Sequence, residues 1–200
     1  MSRFQALKPG QSPDPKVNEL LAGASNGWWQ DSSMFGTIAR QPALLKTIVP
    51  VFESFFGAGR IPAHVFEMMR LKTGEINDCT YCKEVRTEAT RELIKEKESA
   101  FFGKVDFDRL PLNEALAVQL AEYIAGDPNY IPDGFFERLA GTYSEEEVIE
   151  LVFACSIFNW GNKFNITMQI DSSEESGYTK GLVYPGADIR AAANSPTHGE

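Results

Sequence analysis

Residues 144–169, SEEEVIELVFACSIFNWGNKFNITMQ, constrain the fold more than any other stretch of this chain. Ser144 with Glu147 reads as a capping box, and the acidic first turn suits the positive end of a helix dipole. Beyond it the segment is apolar almost all round, so the helix has to be deeply buried or lie in a subunit interface. The rest of the chain supplies helices to cover it. DPKVNELLAGA (14–24) opens with Asp14 as N-cap and Pro15 as first helical residue. PALLKTIVPVFESFFGAG has apolar residues at 44, 45, 48, 51, 52 and 55, which is helical spacing, and Pro50 inside it predicts a kink or a split. IPAHVFEMMRLKTGEIND (61–78) restarts at Pro62, with Val65, Phe66, Met69, Ile76 and either Leu71 or Met68 pointing inward. CKEVRTEATRELIKEKESAFF reads as one helix with a narrow stripe of Val85, Ala89, Leu93 and Ile94, and DRLPLNEALAVQLAEYIAGD and PDGFFERLAGTY as two more. No segment alternates as a strand does, no repeat recurs at a fixed period, and the tail from residue 171 is turn-rich and polar. The expectation is an all-α chain forming one domain.

A chain of 200 residues can bury a good core. Its formal net charge of −9 leaves no cationic surplus for phosphates, which argues against a nucleic-acid partner. The one dense basic stretch, Lys83 to Lys97, is interleaved with glutamates and reads as a solvated helix face. No apolar run reaches the ~18 residues of a membrane span. The start, MSRFQALKPGQSPDPK, lacks the apolar core of a secretory signal, so a cytoplasmic location is expected. Three cysteines are too few for a disulfide scaffold. In a reducing compartment a CxxC pair is catalytic or metal-binding before it is a staple.

That pair lies in NDCTYCKEVR, residues 77–86. Thiol redox chemistry needs one thiolate to attack a peroxide or disulfide and a second thiol near enough to resolve the product. CxxC at a helix start meets both needs. Cys82 opens the following helical segment, and Arg86, four residues on, can hold a cation beside its sulfur. Both effects lower a thiol pKa, which makes Cys82 the expected nucleophile and Cys79 its resolving partner. A zinc site needs a second half-site, and Cys155, His64 and His198 form no ligand-spaced pair, so no metal is expected. A bland reading, two cysteines packed as small hydrophobes, fits poorly with Tyr81 and the polar residues around them.

The stretch FEMMRLKTGEINDCTYC resembles the core of the AhpD-like alkylhydroperoxidase / carboxymuconolactone decarboxylase family, in which a glutamate, eleven residues, CxxC, three residues and a histidine follow one another. Glu67 stands twelve positions before Cys79, where that glutamate belongs; Cys79 and Cys82 match the thiols; Arg86 occupies the histidine position. The resemblance spans about residues 33–168, with MFGTIARQPALLKTIVPVFESFF similar to the segment before the core and EEEVIELVFACSIFNWGNKFN similar to the last core helix. It implies an AhpD-like helical bundle assembling as a homo-oligomer (dimer, trimer or hexamer). It further implies a hydroperoxide or disulfide substrate, no bound cofactor, and an external dithiol as reductant. Cys82 would attack, Cys79 would resolve, and Glu67 would serve as acid/base or as partner of Arg86. The decarboxylase members lack the thiol pair.

A guanidinium stays protonated, so Arg86 can stabilise a thiolate but cannot act as the family's base. His64, three residues before Glu67, shares its helix face and is read as a surface or satisfied histidine, with a relay role as the alternative. Glu75 stands closer to the thiols along the chain, because a straight helix would leave Glu67 about 18 Å from Cys79. Glu67 reaches them only if the next helix folds back across it. Cys155 is expected in the core, and Trp28–Trp29 in core or interface. The asparagines of NWGNKFN are read as a close helix approach in a subunit contact, with a polar pocket wall as the alternative. Two other functions remain open: a non-catalytic oligomeric binding protein of the same fold, and a cofactor-free decarboxylase-like enzyme using Glu67 and Arg86.

Overall fold

The computed structural model describes residues 2–26, 32–56, 59–84 and 90–170, and among them the regular structure is entirely helical. The helices are α1 (Pro15–Asn26), α2 (Ser32–Ile38), α3 (Pro42–Phe56), α4 (Ala63–Ile76), α5 (Thr80–Glu84), α6 (Arg91–Phe101), α7 (Leu112–Ala125), α8 (Asp133–Ala140) and α9 (Glu145–Met168). A short 3-10 turn, Pro128–Tyr130, joins α7 to α8. Trp28, Trp29 and the tail from residue 171 lie outside the described residues.

Local signals in the sequence place most helix starts. Asp14 Oδ1 accepts the backbone N–H of Lys16 at 2.9 Å and of Val17 at 3.4 Å, capping α1. Its other oxygen pairs with Lys46 of α3, and that ammonium holds the Asp14 carboxyl below its ordinary value. Ser144 Oγ accepts from Glu147 N at 3.3 Å while Glu147 Oε2 accepts from Ser144 N at 2.9 Å, so the capping box at α9 is complete. Pro50 does not split α3, which runs unbroken from Pro42 to Phe56. Pro50 and Lys46, whose carbonyl loses its helical donor, both lie on the exposed side, where water replaces the missing bond.

The centre of the bundle is α4, which packs against α7, α9, α5 and α6. Its residues are buried from Val65 through Gly74, so Met68 and Leu71 are both inside. Val65, Phe66 and Met69 face the main core, shared with α1–α3 and α7–α9; Met68 and Leu71 face a smaller one with Ile94, Phe101 and Val118. Ile76, expected inward, is 40% exposed because it ends α4 where the chain turns away. The helix expected from residue 82 onward is two helices: α5 begins at Thr80, and α6 begins at Arg91. Ile94 is buried but Leu93 is exposed, and Val85 and Ala89 lie outside the described residues. The inner face of α9 carries Val148, Leu151, Ala154, Cys155 and Phe158, while Ile149, Phe153 and Trp160 on its outer side face solvent. Among the described residues this helix is covered on one side only.

Candidate active site

The site is built by a chain reversal. At the end of α4, Asn77 caps the helix and Asp78 takes a left-handed conformation, φ +53°, which a short polar side chain tolerates. Cys79 N then donates back to Gly74 O at 2.9 Å, and α5 folds against α4. Gly74 makes that possible, since a Cβ there would stand 3.1 Å from Cys82 Cβ. The reversal is what brings Glu67 toward the thiols, and it does so through Arg70. The Arg70 guanidinium donates from Nε to Glu67 Oε2 at 3.0 Å, from Nη2 to Glu67 Oε1 at 2.8 Å, and from Nη1 to the carbonyl of Cys82 at 2.8 Å. Glu67 is fully buried and Arg70 nearly so. The bidentate pair is the favourable geometry for a buried charge.

Cys79 and Cys82 are both free thiols, 2% and 7% exposed, with their sulfurs 2.7 Å apart and sharing a hydrogen bond. Because α5 starts at Thr80, Cys79 rather than Cys82 occupies the position just before the helix, and its sulfur meets the backbone N–H of Cys82. The hydrogen bond from Cys82 lowers the Cys79 pKa most, and this N–H, Arg70 and Lys83 lower it further against the opposing effect of burial. The same contact and burial push Cys82 well up, opposed by Asn165 and Arg70. The two thiols thus titrate as a coupled pair, with Cys79 shifted down and Cys82 shifted up. Asn165 of α9 reaches the site with Nδ2 at 3.6 Å from Cys82 Sγ. A cleft of about 370 Å³ opens beside Cys79, walled by Asp78, Thr80, Tyr81, Asn165, Gln169 and Ile170. Lys83 pairs with Asp78 at its rim, at 2.7 Å.

Of the residues expected here, Cys79 and Cys82 meet directly, and Glu67 is linked to them through Arg70. Arg86 lies outside the described residues. His64 turns elsewhere: its Nε2 is 3.1 Å from Glu114, whose two oxygens Lys97 holds at 2.6 Å each. Burial would raise the Glu114 pKa, but these two partners outweigh it and keep it low. Glu75 is occupied by Lys72 at 2.9 Å and by the N–H of Gly103 at 2.7 Å. Cys155 is fully buried in the main core, where burial alone pushes its thiol pKa up. Among the described residues no cluster of three or more His, Cys, Asp or Glu could hold a metal. Two members of the site escaped the sequence reading. Arg70 had a signal, a cation three residues after Glu67 on the same helix face. Asn165 had only its polarity in an apolar helix, and of the two readings of NWGNKFN the pocket wall is the one it fits.

No family model matches the chain. Over 107 residues, 51% of this chain and 71% of the relative, it is 24% identical to the uncharacterized protein YdfG of Bacillus subtilis (strain 168). Its structure is similar to that of an uncharacterized peroxidase-related protein from Ralstonia eutropha JMP134, described as an alkylhydroperoxidase AhpD core, with a TM-score of 0.68, 16% identity, and coverage of 87% of this chain and 93% of that one. It is also similar to the debrominase Bmp8, with a TM-score of 0.67, 20% identity, and coverage of 85% and 91%. A peroxidase-related protein from Silicibacter sp. TM1040 matches with a TM-score of 0.67 at 13% identity, covering 88% and 93%. The all-helical fold is thus the AhpD-like one that the sequence resemblance implies. No helix among the described residues is long and apolar enough to cross a membrane.

Proposed function

We propose that this AhpD-like chain is a thiol-dependent oxidoreductase that reduces hydroperoxides or disulfides at Cys79 and Cys82. The observation that carries the reading is the sulfur contact of 2.7 Å between two free thiols, with the Cys79 thiol made the more acidic of the two. Without a histidine base, the Cys79 thiolate is itself the base for Cys82: the shared proton crosses the contact, and the Cys82 thiolate attacks the outer oxygen of ROOH. The O–O bond breaks, Cys82 becomes a sulfenic acid, and the alkoxide takes a proton from water to leave as ROH. The Cys79 thiol then attacks the sulfenic sulfur, its proton leaves with the hydroxyl as water, and a disulfide forms. An external dithiol restores both thiols by exchange and leaves as its own disulfide. Arg70, neutralised by Glu67, fixes the Cys82 carbonyl and so the CxxC turn; Arg86 is assigned to the Cys82 thiolate. Glu67 is enclosed with both oxygens on Arg70, which speaks against its acting directly on substrate in a decarboxylase. The exposed apolar residues on the outer side of α9 support a homo-oligomer.

The test is turnover of tert-butyl hydroperoxide with a dithiol donor. Wild type should consume peroxide, and Cys82→Ser should not. Wild-type inactivity toward both peroxide and a small disulfide would leave the fold as a binding scaffold. Trapping the sulfenic acid in Cys79→Ser and in Cys82→Ser checks the order: the adduct should form on Cys82 in the first and stay absent in the second.

A further inference from the structure

The inner face of α9 is apolar down to Phe158 and then changes character. Asn162 and Asn165, one turn apart, are both buried. Asn162 and Asn159 accept from Asn77 Nδ2 at 3.2 and 2.8 Å, which fastens α9 to the turn that precedes the thiols. Asn165 is different. Its Nδ2 reaches Cys82 Sγ at 3.6 Å, within range for a sulfur acceptor, while its Oδ1 is buried with no hydrogen-bond partner among the described residues. A buried acceptor left unpaired is costly, and a leucine would fill the same space without that cost. The orientation is explained if the amide is placed for the sulfur rather than for its own satisfaction.

We propose that Asn165 is a positioning residue of the thiol pair, whose amide N–H holds the Cys82 sulfur and lets negative charge rest there at the moment of attack. The inference deepens the thiol-redox reading and rests on it for its catalytic meaning. Among the described residues, four charged or polar side chains bear on the pair or its rim. Arg70, backed by Glu67, comes from α4; Asp78 from the turn; Lys83 from α5; and α9 contributes the neutral amide. Arg70 and Lys83 are engaged by Glu67 and Asp78. Among the described side chains outside the pair, Asn165 is a neutral donor on Cys82, and a neutral donor stabilises a thiolate over a thiol. It does from another helix part of what a histidine beside the CxxC would do.

Removing Cys79 isolates the effect. In Cys79→Ser the pH midpoint for alkylation of Cys82 by iodoacetamide, read by mass spectrometry, reports the Cys82 thiolate directly. Adding Asn165→Leu should raise that midpoint by about one pH unit, the worth of one charge-assisted hydrogen bond. Adding Asn165→Asp, which keeps the shape but replaces the donor with a negative acceptor, should raise it further. An unchanged or lowered midpoint in either variant, or an Asp variant no higher than the Leu variant, overturns the proposal. Because the measurement uses no peroxide, it can succeed where the peroxidase reading fails, and the reverse.

Discussion

The chain holds three buried thiols in two settings, and the contrast between them shows how a sulfur's surroundings act on its proton. Cys155 and the Cys79–Cys82 pair are nearly equally hidden from solvent. Cys155 sits among apolar side chains on α9, and burial alone acts on it, so its thiol stays protonated. Burial acts on the pair as well, but there the two sulfurs act on each other most, lowering Cys79 and raising Cys82, while a backbone N–H, a guanidinium, an ammonium and an amide work against burial. Burial by itself therefore says nothing about reactivity; the polar groups that accompany the sulfur decide it.

The sharpest way to break this comparison is by substitution of each thiol. Cys79→Ser or Cys82→Ser should cut peroxide turnover by about 10³-fold or more, as loss of an obligatory redox group does. Cys155→Ala should leave kcat within about twofold, since that sulfur touches no reacting group, and a large loss would erase the distinction. Next in size is the support behind the pair. Glu67→Leu leaves the Arg70 charge buried without its carboxylate and should destabilise the fold by about 3–5 kcal/mol in urea unfolding. A loss below about 1 kcal/mol would show that the ion pair does not brace the CxxC turn. Gly74→Ala places a Cβ against Cys82 and should cost about 1–3 kcal/mol while slowing thiol alkylation, because α5 must shift.

The smallest effect separates the two settings by pH. The folded state keeps the Cys155 proton above the ordinary thiol value of 9.0, whereas the unfolded chain loses it. Stability should therefore fall as pH rises past 9, by at most about 1.4 kcal/mol per pH unit from this group. Cys155→Ala should flatten that part of the slope, measured by urea unfolding from pH 8 to 10.5. Two further falls stay in place after the substitution: one past pH 9 from Cys82, pushed up by Cys79 and by burial, and one from about pH 10 from Tyr143, pushed up by burial. Cys79 carries the opposite sign. Its lowered pKa makes its contribution present above the unfolded value and lost as pH falls through the folded one.

Much of this was legible in the residues themselves. The cap at Asp14, the capping box at Ser144 and the apolar spacings are local, so the sequence states them directly. The thiol spacing and the glutamate twelve positions upstream were likewise readable, and with them the AhpD-like fold. Other features depended on neighbours the sequence does not name. Pro50 left α3 whole because it and Lys46, whose carbonyl it deprives of a donor, lie on the exposed side, and Ile76 turned outward because α4 ends there. The partner of Glu67 proved to be Arg70, one turn away. An Asp78 in the left-handed region and a Gly74 without a side chain let α5 fold back, and only that reversal joins Glu67, Arg70 and the thiols. Asn165, 83 positions from Cys82, came to its sulfur through the packing of α9 on α4. Sequence thus determined most of the helices and which two sulfurs lie close together, since those depend on interactions within a few residues. Tertiary structure decided which way each thiol's pKa moves, because that is set by whatever distant groups the fold places around it.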